Sequence, residues 1–451
     1  MPTRFAIPAA TALALLSAAP TAVAGWTAPQ RFAGPGAAQV FAAANRHGSQ
    51  ILVWNVDSKR VVRLGPRTGL AGWVRARIRL PSGTLGRAAT ISSTKEIVFA
   101  PQAGVDENAN VTAVWVQAGR HVRIMAAYHP HGKPFGKPVE IGRTSVFASA
   151  RPTIAVGRFG DAVIAWNDGR HIAVRRRAGN AQCTPARHFA CYRPATLLRG
   201  GAGHTVAIGP LGSAYIAWAA MVRSGDEAHS HLRMVVIRRS GRRSLDHAIS
   251  RAGDGDASEP AVAIRRDGTA DLAWRASLPT TEGENLPAPI LAAASSPDAV
   301  VSPPQAISAF PGDGPSIRDT RDEAIVTWSQ FRSTPQNPDG EEVAYAVRTA
   351  GAPAFGPPAV ISAPGMFAAG PSLAVDAAGG AIIAYLAAPA IGPAPSGVLG
   401  MSHARPAGGA FGSPVVLPGS ALNRVVVFGA GPKISAYTGD ARGLAITDWR
   451  S

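Results

Sequence analysis

The chain is short of most features that would make its chemistry legible. It has 2 cysteines in 451 residues, too few for a disulfide scaffold or a zinc site built on paired cysteines. Its 28 acidic residues face 45 basic ones, of which 5 are lysine. Aromatic residues make up 6%. Beyond the N-terminal stretch, no apolar run approaches the roughly 18 residues that span a bilayer as a helix, so no transmembrane anchor is expected. No segment sustains a 3.6-residue period, which leaves little room for helices. There is no Gly-x-Ser-x-Gly elbow, P-loop, dinucleotide fingerprint or Cys-x-x-Cys pair, so no motif points to nucleotide, serine-hydrolase or thiol chemistry.

The scarce features sit in informative places. The single long apolar stretch, residues 5–16, follows Arg4 and leads to Ala22-Val23-Ala24. A charged start, a short apolar core and an Ala-x-Ala ending predict a secretory signal over residues 1–24. The residue after the cut is Gly25 rather than a lipid-accepting cysteine. The mature chain, 25–451, is therefore expected to be secreted or extracytoplasmic. Cys183 and Cys191 lie eight apart, a spacing that predicts a local disulfide in an oxidising compartment. The net charge is +17. Most of it comes from arginine in a chain rich in Ala, Gly and Pro, the signature of a GC-rich coding sequence. The charge therefore does not by itself call for nucleic acid, which an exported protein rarely meets. An anionic envelope polymer is the more reasonable partner.

What the chain has in abundance is repetition. An apolar run ending in an aromatic recurs at Trp54, Trp115, Trp166, Trp218, Trp274, Trp328, Tyr385 and Tyr437, at intervals of 51 to 61 residues. A period in this range marks a solenoid, propeller or array. Four short β-branched segments fill each unit. The first is typified by Pro152-Thr-Ile-Ala-Val156 and Pro260-Ala-Val-Ala-Ile264, and the second by Asp161-Ala-Val-Ile-Ala-Trp166. The third is typified by His171-Ile-Ala-Val-Arg175 and the fourth by Phe135-Gly-Lys-Pro-Val-Glu-Ile141. Turn residues bound each segment, so each reads as a strand. The second is apolar on both faces, as a blade stacked between two others requires. The aromatics are expected in the core.

The fold class is therefore all-β, a propeller of four-stranded blades. Eight blades are expected, or seven if the irregular first or second unit is not a true blade. The last unit stops after three strands, and residues 25–32 carry the fourth-strand pattern. The N-terminal strand is thus expected to complete the last blade and remove the exposed edges.

In such a ring, loops joining strands two and three share a face with the blade-to-blade connections. Insertions at 219–230, 275–287, 329–341 and 386–397 build up one sector of that face. Those loops carry Asp226, Glu227, Glu282, Glu284, Asp339 and Glu341, and the connections add Asp254, Asp256, Glu259 and Asp313. This is ten of the 28 acids, while arginine runs at 175–177, 238–239 and 242–243 fall on the other face. Such acids suit a hard cation such as calcium or acid–base work on a glycan, and are otherwise solvated loop surface. His204, His229 and His231 in one unit form a candidate transition-metal set, though no defined ligand spacing backs it. Asp271 and Arg318 break the repeat where other units carry small or apolar residues, and they are expected to pair across one blade boundary.

The pattern Pro-x-aliphatic-Ala-aliphatic, a Gly turn, then aliphatic-Ala-Trp resembles secreted bacterial propellers of the sialidase-like, BNR-type group. The resemblance implies a propeller and an exported setting. The Asp boxes of that group, Ser-x-Asp-x-Gly-x-Thr-Trp between strands three and four, are not matched. The nearest stretch, Arg266-Asp267-Gly268-Thr269, falls between strands one and two. An arginine triad and tyrosine nucleophile cannot be placed by motif, so sialidase activity does not carry over. The functional expectation is an exported binding or scaffold module for a glycan, envelope polymer or protein. The alternatives are a glycan-active hydrolase or lyase using the acidic sector, and a purely structural repeat protein.

Overall fold

In a computed structural model, the described residues are 25–450, less 65–66, 148, 180–190, 225–226, 252, 280–284, 297–299, 321, 334–339, 390–397, 420–421 and 432. They form eight antiparallel sheets. Blades 1 to 7 span residues 37–90, 97–144, 153–199, 201–248, 256–306, 312–360 and 366–416. Each has four strands in sequence order. First strands of successive blades touch one another round a closed circuit, including blade 8 against blade 1. The protein is an eight-bladed propeller, with no membrane-spanning helix among the described residues.

The apolar residues divide into eight clusters, one at each boundary between neighbouring blades. This is why the second strands are apolar on both faces. Seven of the eight repeat aromatics are at most 2% exposed and pack toward the preceding blade. Room for them is built in: a Cβ on Gly142 in blade 2 would collide with the Trp166 indole of blade 3. Tyr437 is the exception. It faces blade 1, where its hydroxyl donates to the Val40 carbonyl at 2.9 Å. On the blade 7 side, Trp26 and Trp449 supply the aromatic bulk instead, edge to face at 5.3 Å.

Closure follows the expected plan. Blade 8 takes three strands from Arg424–Ala430, Lys433–Asp440 and Gly443–Arg450. Gly25–Trp26 and Gln30–Ala33 both pair with the last of these. Thr27 adds a side-chain clasp: the Thr447 hydroxyl donates to its carbonyl at 2.6 Å, and the Asp448 N–H donates to its hydroxyl at 3.0 Å.

Two features were not expected. The insertion at 219–230 is largely an extended hairpin, Ala214–Ser224 with Glu227–Ile237, and blade 1 carries a longer one, Gln50–Leu64 with Arg67–Arg79. Also, the first strands of six blades carry a register shift. In five of these a residue in the bulge takes a left-handed backbone: Gln39 (φ 37°), Ala100 (49°), Glu259 (51°), Gly314 (58°) and Gly370 (63°). A bulge adds one unpaired residue and sharpens the local bend, here on the strands that form the inner ring.

Candidate functional site

The bulges organise the face that carries the strand two–three connections. In two places the bulge side chain of one blade accepts the N–H of the bulge residue in the next. Gln39 accepts from Ala100 at 2.6 Å, and Glu259 accepts from Gly314 at 2.7 Å. Glycine adopts a left-handed backbone at no steric cost, whereas a glutamate there is strained. Strain held at a charged residue is a reason to look for chemistry around it.

Around Glu259 stand Arg275, Asp313 and Glu341. The Arg275 guanidinium lies 3.5 Å from the other Glu259 oxygen. Burial, with the Glu259 charge adding to it, raises the Asp313 carboxyl above its usual range, against the pull of Arg275. Burial and the Asp313 charge raise Glu341 in turn, against a hydrogen bond from Ser329. Asp313 thus stands between two other carboxyl groups, Glu259 and Glu341, where blades 5 and 6 meet, with Arg275 acting on Glu259 and Asp313. Their repulsion is relieved by Arg275, the Gly314 N–H and the Ser329 hydroxyl. Perturbed carboxyl groups in contact make this junction a candidate site.

The other expected residues fall in several places. Asp256 accepts the Ser230 N–H at 2.7 Å and lies 3.6 Å from His229. Asp254 accepts the Arg251 N–H at 2.6 Å. Asp226, Glu282, Glu284 and Asp339 lie outside the described residues, and of Glu227 the backbone alone is described, paired with Ser224. His204 hydrogen-bonds the Ala165 carbonyl of blade 3 at 3.1 Å, and burial lowers its pKa to about 4. His229 faces blade 5 instead, so the imidazoles do not converge on one ligand position. Among the described residues, no group of three or more His, Cys, Asp or Glu is arranged to hold a metal ion.

The pairing expected for Asp271 is corrected. The blade boundary holds, but the partner is Arg348 of blade 6, with Arg265 as a second cation at 2.8 Å. Arg318 instead donates to the Ile317 carbonyl at 2.8 Å. Arg348 belongs to a series at the end of the third strand. Arg79, Arg177, Arg348 and Arg405 are all buried and all reach the preceding blade. Their targets are Asp448 at 2.7 Å, the Tyr128 ring at 3.8 Å, Asp271, and Glu323 at 2.8 Å. Part of the arginine excess is therefore inter-blade stapling. Aligning the third strands by their C-terminal ends, rather than by the aromatic, would have exposed it.

Cys191 is buried, and no free cysteine occurs among the described residues. Cys183 lies outside them.

No protein-family model matches the chain, and no curated protein does. Solved structures do. One described as an ulvan lyase of a new polysaccharide lyase family, PL25, aligns with a TM-score of 0.50 at 9% identity, over 80% of this chain and 93% of that one. A protein of unknown function from Dyadobacter fermentans DSM 18053 aligns at 0.44 and 11% identity, over 94% and 98%. A Hadza microbial sialidase, Hz136, aligns at 0.37 and 7%, over 92% and 65%. At such identities the likeness is one of fold, so the resemblance to sialidase-like repeats stands at the level of the propeller.

Proposed function

We propose that this is an exported glycan-binding propeller whose ligand sits over the junction of blades 5 and 6, on the face of the strand two–three connections. The observation that carries this reading is the cluster of Glu259, Asp313, Glu341 and Arg275. Carboxylates accept hydrogen bonds from sugar hydroxyls and the guanidinium donates to ring or hydroxyl oxygens, so the set offers both polarities. A glycan-active lyase of matching fold among the solved structures supports the substrate class by analogy alone. Secretion and the signal over residues 1–24 belong to the same reading.

The raised carboxyl groups of Asp313 and Glu341 favour a second reading, glycan cleavage. A carboxyl that keeps its proton at higher pH can serve as a general acid beside an ionised neighbour. A glycan array read with the parent protein, Glu259→Gln, Asp313→Asn and Glu341→Gln decides the first reading. Binding to at least one glycan, lost in these variants but kept in a control changed on the opposite face, is the expected result. No binding by the parent, or binding unaffected by all three changes, overturns it. Released reducing ends that decline as pH rises through the raised carboxyl range would establish cleavage.

A further inference from the structure

The face opposite the carboxylate cluster has a cleft at the seam where blade 8 meets blade 1. It has a volume of about 670 Å³, within the range of small-ligand sites. Its wall comes from the blade 8 closure on one side and the turn at residues 82–85 of blade 1 on the other.

Its charge is one-sided. Arg31, Arg77, Arg79, Lys433 and Arg450 line it against a single acid, Asp448. Arg79 and Asp448 cancel each other in a two-pronged pair at 2.7 and 2.8 Å. Burial works against that carboxylate, but hydrogen bonds from Arg79 and Ser435 outweigh it and hold Asp448 ionised. The pair is thus a fixed floor. Arg77 is partly spent on the Gly86 and Phe32 carbonyls. Arg31 spans 3.2 and 3.4 Å to Asp440 at the surface, a pair of the kind that contributes little and is readily exchanged. Lys433 and Arg450 are exposed and form no salt bridge among the described residues, while the Lys433 charge helps hold Asp448 ionised.

We infer that this seam cleft binds an acidic oligosaccharide, with Lys433 and Arg450 receiving its carboxylate or sulfate groups. The cleft is too large for a lone oxyanion, and exposed cations beside Thr27, Gln30, Ser82 and Thr84 suit a charged, hydroxyl-rich chain. The inference shares the glycan class with the proposed function but uses a different site, so either can fail alone.

Calorimetric titration of the whole mature protein tests it, with an oligogalacturonate, a sulfated oligosaccharide, a neutral malto-oligosaccharide of equal length, and inorganic sulfate. At low salt, one or both acidic oligosaccharides should bind, and the stronger of the two identifies the anion. Any binding of the neutral chain should be unchanged by loss of Lys433 and Arg450, and sulfate alone should bind at least about tenfold more weakly. Lys433→Gln with Arg450→Gln should weaken binding about tenfold or more, the loss of two charge-assisted hydrogen bonds, with the melting temperature unchanged. Raising the salt should weaken it as well. Lys59→Gln, an exposed cation on the other face, should leave it intact. Neutral-chain binding that falls in the double variant as far as acidic-chain binding does, no binding of either acidic chain, sulfate binding as tightly as the oligosaccharide, or a double variant that binds like the parent would each overturn the assignment.

Discussion

Asp271 shows how a residue that violates the repeat is accommodated. It is fully buried, and two arginines from two blades neutralise it. Arg348→Ala should cost about 3–5 kcal/mol, because a buried carboxylate loses its principal partner. Asp271→Leu with Arg348→Met should recover most of that loss, as read by chemical denaturation of all three variants. Asp319 is the opposite case. Both of its oxygens are buried without a hydrogen-bond partner among the described residues. Burial, with Asp267 adding to it, lifts its pKa to about 7, against Arg265 and Arg318. The folded state therefore holds a proton that the unfolded chain has released. Asp319 costs no stability below its ordinary value of 3.8, costs progressively more as pH rises toward about 7, and levels off above that. Asp319→Asn should remove this fall and raise the melting temperature at neutral pH more than at pH 4.

Among the elements, the bulged first strand is the most specific device. Glu259→Gly should leave the bulge in place, since glycine suits the backbone, while detaching Arg275 and freeing the Gly314 N–H. The expected readout is near-parental stability with lost ligand binding. Gly314→Val should instead destabilise the fold, because a β-branched residue resists a φ of 58°. The strands themselves were legible in the sequence because their period and turn residues are local properties. The bulges were not, since nothing in the apolar run Ile97-Val-Phe-Ala100 distinguishes a left-handed Ala100 from an extended one. The shift comes from how the first strands crowd around one axis. Cys183 and Cys191 remain a local prediction. Mass spectrometry of the unreduced protein should show no alkylatable thiol, and the bridge should stabilise by about 2–3 kcal/mol at most, given its short loop.

At the scale of the molecule, eight blades and the closing strand were readable because the last unit lacked a fourth strand and residues 25–32 matched it. The direction of Tyr437 was not readable. Its place in the repeat spacing looks regular, yet the seam turns it toward blade 1 and hands the blade 7 side to Trp26 and Trp449. The proposed site was legible only as acids on connecting loops; their grouping about Glu259 was not, because nothing in Ser258-Glu259-Pro260 marks the left-handed backbone that brings Glu259 to Arg275 and the Gly314 N–H. Removing residues 25–33 should open the ring at this seam. Faster proteolysis of blade 8 than of the inner blades, with a lowered melting temperature, is the expected signature.

That clasp also sets an order in time. Synthesis runs from the N-terminus, so Gly25–Ala33 emerges long before the strand at Gly443–Arg450 with which it pairs. Blades 1 to 7 hold all four of their own strands and can form as the chain arrives. The earliest segment must wait, its edge unpaired, for the last one. Completion is therefore a single late event, and a chain truncated anywhere before residue 443 leaves its opening strand without a place to go.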